Sequence, residues 1–160
     1  MGSAAGGKAD MRSYDLFLIN EEVALIYYGF ESKLFHLFKE NCLAEDNLKE
    51  ITSRQVHYIR KSINDNDLNS WLRQACLNVK GYEQKSPFVH CFSSSDHKSR
   101  AVLTVGKNKV TLESEGSFEL ETEIFDILRD YDDYFFAADY QNERYGWLKP
   151  LKSFRIVEPG

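Results

Sequence analysis

No stretch of this chain is apolar for long enough to cross a bilayer, no two cysteines stand in CxxC spacing, and basic residues do not outnumber acidic ones. Each absence closes a class. Without an apolar segment of about 7–15 residues near the start there is no secretory signal, so a reducing, cytoplasmic setting is expected. The three cysteines, Cys42, Cys76 and Cys91, are then expected to be free and largely buried thiols. A formal net charge of -5, with acids and bases intermingled, disfavours direct grip on a nucleic-acid backbone, which calls for a basic face. A role in DNA metabolism would run through a protein partner.

The chemistry-bearing motifs are also missing. No glycine-rich run stands where a strand meets a helix to cradle a phosphate or a dinucleotide. His36, His57, His90 and His97 are scattered, and none pairs with another at metal-binding helical spacing, so neither a metal nor a cofactor is expected. His90 and Cys91 are neighbours, but adjacent strand residues point to opposite faces and cannot form a nucleophile and base pair. The serines and His97 of SSSDHKSR resemble hydrolase parts only in composition, and a mobile polar loop explains them better. The chain reads as a binding protein and not an enzyme.

What is present is a well-stocked core. Apolar residues make up 42% of the 160 and aromatics 14%, too much for a disordered chain. A domain of this length buries roughly 70% of the surface its unfolded chain exposes. Met1 to Asp10, made of small and polar residues ahead of Met11, is expected to be a tag or a disordered tail, with one domain over residues 11–160.

Ser13 to Ile19 (SYDLFLI) has the near-continuous apolar character of a strand buried on both faces. Asn20 offers an N-cap, with Glu21 and Glu22 at the positive end of the helix dipole, so a helix is expected from Glu21 to Tyr28. Gly29 interrupts it, and Glu31 to Asn41 continues with Leu34, Leu37 and Phe38 on one stripe. Asp46 to Ile51 is helical in propensity, and Thr52 with Gln55 has the form of a capping box. Gln55 to Ile59 (QVHYI), however, is expected as a short strand. Asn64 to Val79 reads as a helix stopped by Gly81. Strands are expected at Pro87 to Phe92, Ala101 to Val105 and Lys109 to Glu113, the last two joined as a hairpin at Gly106 to Asn108. Phe118 to Tyr131 is an amphipathic helix, and Asp133 to Tyr140 is a buried strand. The fold class is α+β, a single domain with a mixed or mainly antiparallel sheet flanked by helices.

Two segments go beyond generic composition: FLINEEVALIYYGFESKLFHLF, and NERYGWLKP at Asn142 to Pro150. With ETEIF at Glu121 and the QVHYI stretch between them, the chain resembles SirA, the family of sporulation inhibitors of DNA replication in endospore-forming bacteria. The likeness runs from about Leu18 to Lys152 and is weakest between Asn64 and Lys98. It implies a protein that binds the N-terminal domain of the replication initiator DnaA and stops new rounds of replication in cells committed to sporulation. It also implies a binding surface drawn from the first helix, the Gln-x-x-Tyr stretch and the proline after Tyr-Gly-Trp. In this chain those residues are Tyr27, Gln55, Tyr58 and Pro150.

Val23 stands where the family can carry a larger aromatic, four residues before Tyr27 and so on the same helix face. A stripe of this kind more often packs inward on a sheet, but the resemblance favours placing both residues outward. Tyr145 and Trp147 beside Gly146 are expected to act as scaffold that positions Pro150. The rival reading is a small-molecule-binding or acyltransferase-like α+β domain, which fold alone does not exclude.

Overall fold

The computed structural model describes residues 11–150, so the expected tail at residues 1–10 and the chain beyond Pro150 lie outside it. In chain order the elements are β1 (Arg12–Leu18), α1 (Glu21–Tyr27), α2 (Glu31–Leu43), α3 (Asp46–Ile59), α4 (Asp65–Ala75), β2 (Glu83–Ser86), β3 (Val89–Ser93), β4 (Arg100–Val105), β5 (Val110–Glu115), α5 (Glu119–Tyr131), β6 (Phe135–Asp139) and β7 (Arg144–Trp147). The seven strands form one sheet in the order β2-β3-β4-β5-β1-β6-β7, every pairing antiparallel. The chain is therefore an α+β domain, as its sequence indicates.

The side-chain period of two divides β1 between two cores. Tyr14, Leu16 and Leu18 meet Leu103, Leu112 and Phe135 on the face covered by α4 and α5. Phe17 and Ile19 meet Phe136 and Ala138 on the face covered by α1, α2 and α3. Because β1 and β6 lie inside the sheet with helices on both sides, their sequences run apolar with little alternation.

One charged pair is built into this interior. Arg12 donates to Glu121 of α5 and to the carbonyls of Gly116 and Ser117, and the Tyr14 hydroxyl donates to Glu121. Burial beside that carboxylate pushes the Tyr14 phenol well above its ordinary value.

Five expectations are corrected. Gln55 to Ile59 is not a strand but the last turns of α3, because Thr52, Val56 and Ile59 recur at helical spacing and pack on α2 and the sheet. Thr52 is accordingly no cap: it sits mid-helix, and its hydroxyl contacts the Leu48 carbonyl and the Asn41 side chain. The helix expected to reach Val79 stops at Ala75. Of the three thiols only Cys76 is buried; Cys42 is exposed and Cys91 is half-buried. The expected Pro87 to Phe92 strand is shifted to β3, with Pro87 and Phe88 in the turn from β2.

Candidate functional site

The first helix begins where its sequence says it should. Asn20 caps α1 by accepting from the Glu22 amide at 3.0 Å, and Glu21 and Glu22 occupy the first turn. Gly29, at a φ of 87°, ends the helix in the left-handed region, and α2 starts two residues later.

The start of α1 is tied to the end of α3 by backbone alone. The Asn20 amide donates to the Ile59 carbonyl at 3.0 Å, the Lys61 amide donates to the Leu18 carbonyl at 2.6 Å, and Ile19 and Arg60 form an isolated antiparallel bridge. These bonds fix the separation of α1 and α3 at one end, and Leu37 of α2 contributes to the wall between them.

The result is an open groove of about 650 Å³ between α1 and α3. Tyr58 is 79% exposed and Ile26 is 69% exposed, from α3 and α1 respectively. Tyr27 and Gln55 complete the central part of the lining, with Glu22 and Arg54 placing a charge of each sign there. Neither the Gln55 amide nor the Tyr58 hydroxyl is engaged in a hydrogen bond among the described residues, so both are available to a partner.

The helical state of α3 is what unites Gln55 and Tyr58. Three apart in a strand, they would face opposite ways; three apart in a helix, they share a face. Val23 is corrected: at 8% exposed it packs inward on the core of α1, α2 and β6, and only its edge reaches the groove. Tyr27 is half-buried, its ring packed against the same core while lining the groove. Pro150 is exposed and lies elsewhere, in a shallow recess with Arg129, Asp130 and Lys149. Leu37, expected from the sequence on the buried stripe of α2, also reaches the groove, and Ile26, which carries no sequence signal as a site residue, stands one turn from Val23 on α1.

The Tyr-Gly-Trp segment is edge strand β7. Trp147 packs edge-on to Phe136 at 5.2 Å, and its indole N–H donates to Glu31, whose carboxylate also accepts from the Gly29 amide. Tyr145 stacks on Phe35 of α2 at 4.6 Å. Both aromatics thus hold the α1–α2 corner against the sheet, one wall of the groove included.

The family described as "Sporulation inhibitor of replication protein SirA" matches residues 12–152. The chain belongs to the SirA family. A similar relative is the sporulation inhibitor of replication protein SirA of Bacillus subtilis (strain 168), 31% identical over 148 residues, spanning 91% of this chain and 99% of the relative.

Other chemistry is sparse. His90 and Cys91 do point to opposite faces: His90 is wholly buried between Tyr82 and Asn69, and Cys91 is on the far side of β3. The Asn69 amide donates to the Asp65 carbonyl, so its oxygen accepts from His90 Nε2, and His90 Nδ1 accepts from the Tyr82 hydroxyl at 2.7 Å. Burial, with Arg73 nearby, pushes the imidazole down to about 4. No group of three or more His, Cys, Asp or Glu gathers as a metal site among the described residues, and no described helix is long and apolar enough to cross a membrane.

Proposed function

We propose that this chain restrains chromosome replication by binding the N-terminal domain of DnaA through the groove between α1 and α3. The observation that carries the reading is Tyr58, a large aromatic left exposed beside Ile26 and Tyr27 in an apolar concavity whose walls are pinned by backbone hydrogen bonds. Tyr27 and Tyr58 serve as anchors, Gln55 supplies a two-way hydrogen-bonding amide, and Val23 supports Tyr27 from beneath. Pro150 makes a separate peripheral contact. Occupancy of the partner, not turnover, is the mode of action, and a groove fixed before binding loses little entropy on closure.

Titration of the purified DnaA N-terminal domain against this protein tests the reading. Saturation at one to one is expected. Tyr58→Ala should weaken binding about thirtyfold, the effect of losing a hot spot of about 2 kcal/mol, with the thermal midpoint unchanged. No complex at tens of micromolar, or full affinity in Tyr58→Ala, would sink the proposal.

A further inference from the structure

A second concavity, of about 450 Å³, opens on the opposite flank of α3, between that helix, the end of α2 and the β4–β5 hairpin. Its size is within the roughly 300–1,000 Å³ of small-molecule sites. Phe17, Phe38, Val56 and Tyr140 give it an apolar floor, and Lys49, Arg60 and Lys109 bring three cations to its lining. Asp15 is the only carboxylate among the residues that line it.

The hydrogen-bond inventory is lopsided. Asp15 is already committed: Lys109 Nζ lies 3.0 Å from its Oδ2, and burial, with the Asp15 carboxylate nearby, holds the Tyr140 phenol well above its ordinary value. Lys49 has only the Asn41 carbonyl as a partner, and Arg60 only His57 Nδ1 at 3.3 Å; neither has a carboxylate within ion-pair distance among the described residues. The Asn41 side-chain oxygen accepts from Thr52 and Ser53, which leaves its NH₂ for the cavity. In a protein with an excess of acids, this recess is lined by more cations than carboxylates, and two of those cations lack a carboxylate partner among the described residues.

The three Lys and Arg side chains against one carboxylate leave a net charge of two, positive. A carboxylate ligand would balance half of it, whereas a phosphate monoester carries about −1.5 to −2 at neutral pH and three acceptor oxygens. We infer that this cavity binds a small organic phosphate, its phosphoryl group held by Arg60, Lys49 and the Asn41 amide, and its apolar portion set on the Phe17, Phe38 and Val56 floor. The site is independent of the groove: Lys49, Ser53, Val56, His57 and Arg60 face the cavity from α3 and its cap, while Arg54, Gln55 and Tyr58 face the groove.

The test is an amide-shift titration of the full chain by NMR with phenyl phosphate, inorganic phosphate and benzoate. Saturable shifts confined to residues around the cavity are expected with phenyl phosphate, and benzoate should bind about tenfold or more weakly. Arg60→Gln and Lys49→Gln, which remove charge and keep a donor, should each weaken phenyl phosphate about tenfold, the scale of one charge-assisted hydrogen bond. Tyr58→Ala should leave the titration unchanged. Absence of saturation by ~10 mM phenyl phosphate overturns the site, as does full affinity in both folded charge variants. Equal affinity for benzoate overturns the assignment to phosphate, and inorganic phosphate binding as tightly as the ester overturns the part given to the apolar floor.

Discussion

Acid should loosen this fold in part through one buried histidine. His90 is fully buried, its two ring nitrogens satisfied by Tyr82 and Asn69 in a neutral tautomer. Protonation would turn Nδ1 into a donor facing a hydroxyl in a dry site, so burial, with Arg73 nearby, holds the imidazole neutral down to about pH 4, against an ordinary value of 6.5. Between those values the unfolded chain binds the proton and the folded chain does not. Stability is therefore full above about pH 6.5, falls as the pH falls, and stops falling from this source below about pH 4. At 1.36 kcal/mol per pH unit, a gap of this width is worth about 3 kcal/mol.

The assay is urea unfolding at a series of pH values for the wild-type protein and for His90→Gln, which keeps one donor and one acceptor and does not titrate. Every other group is common to both proteins, so the difference between the two curves isolates His90. The wild type should lose about 3 kcal/mol more than the variant between pH 7 and pH 4. Parallel curves, or an imidazole titration near 6.5 followed by NMR, would refute the reasoning.

Two further changes probe the scaffold and the groove. Glu121→Gln keeps the shape of the side chain but removes the buried carboxylate charge to which Arg12 and Tyr14 both donate, and should cost about 3 kcal/mol, read as a fall in Tm of roughly 10 °C; a loss under ~1 kcal/mol would show that this charge contributes little to the fold. Tyr27→Ala should do two things where Tyr58→Ala does one. Its half-buried ring supports the α1 core, so a lowered Tm and weakened binding to the DnaA domain are both expected; an unchanged Tm would place the ring wholly in the groove.

How much of this could be read from the chain depends on where the deciding contacts lie. SYDLFLI and the FFAAD of β6 are legible because a strand buried on both faces must be apolar throughout, and α5 is legible because Leu120, Ile124 and Leu128 mark one stripe over three turns. Strand β2 (EQKS) carries no apolar signal, since an edge strand is held by the backbone of its neighbour. The α3 error has a similar origin. QVHYI is locally rich in β-branched and aromatic residues, and only the wider interval from Thr52 through Val56 to Ile59 shows the ridge that packs on α2.

That one misassigned element also governed the site. Read as a strand, Gln55 and Tyr58 could not act together; as a helix they form half of a groove whose other half is α1. The same rotation places Lys49, Ser53 and Arg60 on the opposite flank, where a strand reading would have scattered them. Val23 shows the complementary case, because a position that the family resemblance places on the surface is taken into the core here. The short side chain at 23 sinks into the core and leaves the groove wall to Ile26 and Tyr27. If so, restoring bulk by Val23→Phe should not simply extend the contact surface: the ring must first find room beside Ala24 and Phe35, so overpacking of the core competes with any gain in the groove.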